Sequence, residues 1–463
     1  MKKFSNLSQT LSRTPKSEFR FPKSDLLSIC DSVIKTAKSL GASESEAFVA
    51  SGDGTSISIE KNRISAISSA SIFGIGIRIL KDARLGFAFC TEEGKIKDAV
   101  ESAIKMSSHT KKVKFQFPEP RKFPKVSKIY DRKILEIEPE DGAEFSERII
   151  GAAKEICQRS KVSGGASYGY GTSAIANSRG LSVFENGTQL AASASVSIGR
   201  ATGFDISVSR VFDVDLENVG GTAADIALRS QKPKKADGGA KTVVFSPFAI
   251  SQMIECITVP ALYGDRAHRG ESVYSEKCGM QIVDCGLSIY DNQIMPGGLN
   301  SGSTDDEGVA SSKVKLIERG ILKNFLCDLR TSYEFGQAPT SSGARSFHTP
   351  PATAARNIKL EGKIEKFQSL AKDIKQGIFA YDVMGAHTSN PASGDFSLSS
   401  SVLFEIKNGE VAGALKPVML GGNLPKLLGK VRLADDVRML PGGLSEVCFV
   451  APSVAIEGVN VSV

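Results

Sequence analysis

Ser246 to Asp265 reads SPFAISQMIECITVPALYGD, an apolar run at helical spacing in which one carboxylate, Glu255, stands beside a thiol, Cys256. Adjacent carboxylate and thiol are materials for acid–base or nucleophilic hydrolysis, so the pair is one candidate site. Other patterns carry less chemistry. GASYG, Gly165 to Gly169, fits a G-x-S-x-G nucleophile elbow centred on Ser167, but an elbow leads from a strand into a helix, and here strand-forming YGTSAIANS follows. GYGTSA has two of the three glycines of a dinucleotide turn and no helix behind them, and there is no phosphate loop. The four histidines, His109, His268, His348 and His387, include no pair four residues apart around a glutamate, the zinc-binding spacing on a helix. The eight cysteines contain no C-x-x-C, which argues against a zinc ribbon or a dithiol redox pair.

The elements that must position these groups are read from periodicity. A helix is expected from Ser24, as N-cap, to Gly41; EAFVASG, TSISIEKN, RISAISSASIFGIGIRIL and RLGFAFC then alternate as a strand meander, and KIKDAVESAIKMSSH returns to helical spacing. After the basic connector KKVKFQFPEPRKFPKVSK the same order recurs: helix at EDGAEFSERIIGAAKEICQRS, three strands between GGASYG and FDISVSRVFDV, helix at GTAADIALRSQK. The third segment is mainly β. Its hairpins turn at Arg319-Gly320 and at Asn408-Gly409, the latter a preferred type I′ pair. Its long segment CGLSIYDNQIMPGGLNSGSTDDEGVASS reads as a glycine-rich functional loop rather than core. The expected class is α+β: a basic flexible tail (1–23), two helix–meander–helix units (24–112 and 113–236), and a β-rich C-terminal domain (237–463) with a curled or barrel-like sheet.

A chain of 463 residues, 41% hydrophobic and 24% charged, is globular by composition and long enough for two or three domains. Its net charge of +7 is uneven. Residues 1–24 carry six Lys/Arg against one acid and residues 105–133 ten against two, a net +13 that leaves the remainder at −6. We read these as a solvated tail and linker, with nucleic acid not the expected partner. No run of 18 apolar residues and no secretory signal is present, so a cytoplasmic protein with reduced thiols is expected.

Several stretches in order, FSPFAISQMIECITVPALYGDRAHRGESVYSEKCGMQIV, DDEGVASSKVKLIERGILKNFLCDLRTSYEFG, NPASGDFSLSSSVLFEIKNGEV and GGNL, resemble the TldD/PmbA family, whose PmbA branch is also called TldE. The likeness spans about residues 240–463 and continues from about residue 25. The resemblance implies a cytoplasmic metalloprotease system acting on unstructured peptides. In it a TldD-type subunit carries H-E-x-x-x-H and a cysteine ligand, and a TldE-type subunit lacks them while helping to enclose the peptide. Counting back from Gly264-Asp265 sets Glu255 at the first histidine, Cys256 at the glutamate and Pro260 at the second histidine, so the resemblance implies a degenerate site. No cofactor is then expected in this chain; zinc is expected in a TldD-type partner. The expected assembly is a heterodimer with that partner, through the C-terminal domain, or a homodimer, with an unstructured peptide as substrate.

Candidate peptide-binding residues are Arg269, Arg330 and Arg345, suited to a carboxylate, and Asp306 and Glu307 of DDEG, suited to amides. Internal salt bridges and loop shaping are the alternatives. Asp395 and Asn423 match family positions near the cavity, where turn geometry would serve equally. Two rival functions stand beside this reading: a hydrolase using Glu255 with Cys256, and a non-enzymatic regulator of the gyrase-modulator kind.

Overall fold

The computed structural model describes residues 22–463, so the tail, apart from its last two residues, lies outside the described residues. The first two units are halves of one sheet. Strands β1 (Glu44–Glu60), β2 (Arg63–Lys81), β3 (Arg84–Cys90), β4 (Lys161–Asn177), β5 (Ser182–Ile198) and β6 (Ala201–Ser209) form an antiparallel sheet ordered β3-β2-β1-β4-β5-β6. EAFVASG and TSISIEKN are one continuous strand, β1. The seam is the β1–β4 pairing, which runs in register from Glu46↔Asn177 to Ile59↔Gly164.

Helices α1 (Lys23–Ser39), α2 (Ile96–Ser107), α3 (Arg132–Leu135), α4 (Pro139–Ile156) and α5 (Leu216–Arg229) cover this sheet. The first two bury Leu26, Val33, Val100 and Ala103 against Val49, Ile75 and Ile77. The others bury Ile149, Ala153, Val219 and Ala223 against Ile57, Val162 and Val196. Each helix thus turns its apolar stripe to the alternating face of the strands. The start of α4 follows from a capping box between Glu138 and Asp141 with Pro139 in the first turn. Ser24 is not the N-cap of α1. Pro22 holds that position, and the Ser24 hydroxyl donates to Asp25 Oδ1 instead.

The C-terminal segment opens with β7 (Gly239–Phe245) and α6 (Pro247–Met253). From β7 the chain closes a five-stranded barrel. Gln376–Met384 pairs with β7 and with Asp395–Lys407, the latter pairs with Val418–Asn423, and Val454–Ser462 joins Val418–Asn423 back to β7. The fold is therefore α+β with a closed barrel, as the expected curled or barrel-like sheet requires. A second sheet includes Lys313–Glu318, Ser288–Asn292, Asn357–Glu361 and Cys448–Ala451. Between the two, α6 and the turn after it bury Ile250, Met253, Ile254 and Ile257 against Phe245, Leu316 and Phe449. Both hairpin turns have two left-handed residues, Arg319-Gly320 (φ 48° and 77°) and Asn408-Gly409 (50° and 87°).

The long glycine-rich segment departs from its expectation. Ser288–Asn292 is a strand, and Asp291, Gln293, Ser301, Thr304, Asp305 and Glu307 are buried. Burial is tolerable because the polar groups are satisfied internally. Asp291 accepts from the Asn357 and Arg356 amides, and Gln293 donates to the Thr340 and Ser341 carbonyls. Among the described residues no helix is long and apolar enough to cross a membrane.

Candidate functional site

The helix that begins at α6 is capped by Ser246, whose hydroxyl accepts from the Ala249 amide and donates to the Tyr381 carbonyl. It passes through a π turn at Ile254–Thr258, closed by a bond from the Val259 amide to the Ile254 carbonyl, and resumes at Val259–Ala261. The widened turn accommodates Pro260. A proline has no N–H to donate and its ring would press on the carbonyl four residues back, that of Cys256, in a regular α-helix, and the open turn relieves both. The same opening brings positions five apart, Glu255 and Pro260, toward one face of the helix.

Glu255 is buried and fully occupied. Its Oε2 accepts from the Gly443 amide at 2.9 Å; its Oε1 accepts from the amides of Leu444 (3.1 Å) and Ser445 (2.8 Å) and from the Ser445 hydroxyl (2.5 Å). The carboxylate therefore cross-links the helix to the loop between strands Arg438–Pro441 and Cys448–Ala451. Gly442 at the start of this loop permits the approach, because a Cβ there would lie 2.7 Å from Glu255 Oε1. The neighbouring Cys256 thiol is pushed up to about 11, first by burial and then by the Glu255 charge, which leaves it protonated and a poor nucleophile at neutral pH. Cys448 is buried in an apolar cluster with Val208 and Leu299 and pushed up to about 12 by burial. His268 packs its ring 4.4 Å from that of Phe335.

Zinc requires three protein donors and an open position. The helix presents a carboxylate already engaged by four donors, a thiol held protonated and a proline without a donor atom, and these residues do not fit the metal. Among the described residues, no three His, Cys, Asp or Glu side chains are grouped so as to hold one.

A cleft of about 870 Å³ lies between the six-stranded sheet and the C-terminal segment. Ser51, Gly54, Gly171 and Gln189 line its sheet wall; Asn300, Asp306, Arg356 and Glu446 line the other. A smaller cavity of about 340 Å³ is walled by Phe204, Phe248, Phe449 and Glu255. The loop held by Glu255 lines both, through Ser445 and Glu446 on one side and Gly442 and Gly443 on the other.

The fold gathers three of the seven expected binding residues and disperses four. Asp306, Glu307 and Arg345 meet where the C-terminal segment abuts β1 and β2, but their side chains are used internally. Arg78 binds Glu46 through Nε and Nη2, each at 2.9 Å, and Glu307 through Nη1 at 2.5 Å. Arg345 ion-pairs Glu46 at 2.6 Å and lies over the Phe48 ring. Glu307 also accepts from the Leu329 amide, Asp306 from the Arg345 amide, and Asp305 from the Glu307, Val309 and Gly343 amides. Burial pushes the Glu307 and Asp306 carboxyls up; burial and the Glu307 charge push Asp305 up to about 8. The internal salt-bridge alternative therefore describes Arg345 and Glu307, although Asp306 also borders the cleft.

Arg269 pairs on the surface with Asp265 and Glu271, and Arg330 with Glu334. Asp395 and Asn423 face each other across two barrel strands, with Asn423 donating to Asp395 and capping Leu424–Leu427. None of these four lines either cavity.

Sequence reasoning missed Glu46, Arg78, Glu185, Arg210 and Arg356. The available signal was a charge inside an apolar strand, as in SEAFVA and GIGIRIL. Arg210 donates to the carbonyls of Ile129, Thr188 and Leu299, and burial holds it down at about 10. Arg356 donates to the Asn300 and Thr304 carbonyls and to Ser311. Glu185 accepts from the Ser303 amide. Arg210 and Glu185 tie the sheet to the buried glycine-rich segment beside the cleft, and Arg356 braces that segment from within.

Three family models cover most of the chain: PmbA/TldA metallopeptidase domain 1 matches residues 45–107, the central domain 132–231 and the C-terminal domain 238–463. An uncharacterised protein of Methanocaldococcus jannaschii is 27% identical over 431 residues, 92% of this chain and 98% of that one. A protein of Methanothermobacter thermautotrophicus named as a metalloprotease is 25% identical over 401 residues, 83% of this chain and 86% of its own. The crystal structure of TldE from Thermococcus kodakarensis superposes with a TM-score of 0.88 at 25% identity, covering 94% of this chain and 100% of that one.

Proposed function

The chain belongs to the PmbA/TldD metallopeptidase family, and from that premise we propose that it is a TldE-like subunit, not competent for zinc hydrolysis by itself, which walls a cavity for unstructured peptides in the cytoplasm. One observation carries the reading. At the helix where the family resemblance sets the metal-binding residues, a glutamate is tied by four hydrogen bonds to the facing loop and a proline stands one widened turn away. Hydrogen bonds through Glu255 join the helix to this loop.

The cleft supports the substrate class. A Cβ added at Gly54 or Gly171 would meet nothing closer than 3.8 Å, so bare backbone faces the space. Such a wall admits an extended chain and reads its backbone more than its side chains. The chemistry would then belong to a TldD-type partner, with this chain pairing with that partner or with its own copy.

Elemental analysis of protein purified without a metal-affinity tag or chelator tests the reading, together with peptide cleavage assays on the chain alone and with a TldD-type partner. The expected result is near-zero zinc and cleavage only in the presence of the partner. One zinc per chain, or cleavage by the lone chain that is lost in Glu255→Ala/Cys256→Ala, overturns it.

A further inference from the structure

We propose that Arg210 and Arg356, at one end of the large cleft, form a clamp for the C-terminal carboxylate of a bound peptide, so that the cleft takes a chain end rather than the middle of a chain. The inference deepens the reading of this chain as a wall of a peptide cavity and rests on it. The cations expected for such a task, Arg269, Arg330 and Arg345, are each paired with an acid. Arg210 and Arg356 differ. Among the described residues neither forms an ion pair, and every hydrogen bond they make goes to a neutral group.

One stretch of chain fixes both guanidinium groups. Arg210 donates through Nη1 to the carbonyls of Leu299 (2.7 Å) and Ser301 (3.4 Å), and through Nε to those of Ile129 and Thr188. Arg356 donates through Nε to the Asn300 carbonyl (2.8 Å) and through Nη1 to the Thr304 carbonyl (2.9 Å) and the Ser311 hydroxyl (2.7 Å). Nη2 of each is left without an acceptor among the described residues, and neither Nη2 is sealed away from the cleft that both side chains line. Two glycines keep these atoms open. A Cβ at Gly187 would run into Arg210 Nη2, and one at Gly302 would stand 3.0 Å from Arg356 Nη2. Burial lowers the Arg210 guanidinium most, Glu185 raises it and Arg356 lowers it again, so the two cations lie within one another's field.

Two half-buried cations without ion pairs favour an anion beside them. Glu185, which accepts from the Ser303 amide, balances only one of them. Asp305 and Asp306 also line the cleft, but they are buried and turned to backbone amides, and Glu446 is exposed to water. A carboxylate offers one oxygen to each free N–H edge. Position makes it a chain end. The sheet wall of the cleft runs over β2, β1, β4 and β5, neighbours in that order, and Arg210 directly follows β6, so the cations stand where the wall stops. Three strand spacings, about 14 Å, leave room for about four residues of extended chain ahead of the clamp.

The test uses the full-length chain and short N-dansyl peptides of Ala, Gly and Ser, prepared as the free acid, as the C-terminal amide, and as an amide with one internal Glu, with binding read by dansyl emission at low and high salt. The free acid is expected to bind roughly tenfold or more tighter than either amide, with an advantage that shrinks as salt rises. Arg356→Gln should bring the acid to the amide's affinity, with a thermal midpoint measured to check its fold. Because Arg356 also braces Leu299 to Thr304, the wild-type series decides alone where that variant does not fold. Equal affinity of acid and amide overturns the clamp and leaves the peptide-cavity reading intact. A Glu-containing amide as tight as the free acid overturns the selection of a chain end. A preference for the acid that survives in folded Arg210→Gln and Arg356→Gln overturns the assignment to these residues. A chain that binds none of the three peptides overturns the peptide-cavity reading and the clamp with it.

Discussion

Glu255 shows how one buried carboxylate can hold a helix to the loop that faces it. Three amides and a hydroxyl converge on its two oxygens, so the carboxylate's charge organises Gly443 to Ser445. Hydrogen bonds to a charged group contribute about 1.5–3 kcal/mol each when removed singly. Glu255→Gln keeps the shape but turns one acceptor into a donor facing amides, and we expect it to lower the unfolding free energy by about 2–3 kcal/mol in urea titration. Amide exchange should rise at 443–445 more than elsewhere. A variant as stable as wild type would mean that the loop holds its conformation without the carboxylate.

At the scale of elements, the widened turn and the facing loop keep a spacing suited to more than hydrogen bonds. Positions 255 and 260 approach one helix face through the π turn, and Ser445 Oγ lies 2.5 Å from Glu255. We therefore expect Glu255→His/Cys256→Glu/Pro260→His with Ser445→Cys to bind one zinc per chain. The triple variant that lacks the loop cysteine should stay near zero, since two imidazoles leave the donor set short. Elemental analysis after dialysis distinguishes the two. How much of this was legible depended on distance along the chain. The turns at Arg319-Gly320 and Asn408-Gly409 and the stripes of α2, α4 and α5 are local properties, and periodicity finds them. The partners of Glu255 lie 188 to 190 residues away, and Glu307 lies 229 residues from Arg78. No local pattern names such partners, so for DDEG and Arg345 peptide binding and internal pairing stayed open alternatives in the sequence, and the structure places Arg345 and Glu307 in a buried junction. The seam between β1 and β4 was hidden for the same reason, leaving the two halves of one sheet to read as consecutive domains.

Over the whole molecule, that junction couples the sheet to the C-terminal segment through four carboxylates and two guanidinium groups, with Asp305, Asp306 and Glu307 all held above their ordinary range. A carboxyl raised on folding binds its proton more tightly in the native state, so its stabilising contribution is present below the unfolded value and is lost as pH rises through the folded one. For Asp305 that window runs from about 4 in the unfolded chain to about 8 when folded. Stability should accordingly fall between about pH 4 and pH 8, with a slope of at most about 1.4 kcal/mol per pH unit for each such group. Asp305→Asn should flatten the profile whatever it does to the absolute value, and a profile unchanged by that substitution would place the titration elsewhere. The barrel imposes a different kind of order. Its first strand, β7, is hydrogen-bonded to Val454–Ser462, more than two hundred residues later. On the ribosome, the sheet of β1 to β6 can form from residues already made, whereas the barrel must wait with one edge open until its last strand has left the exit tunnel. The barrel is thus completed only after synthesis of its final strand, on a first half that can form before it.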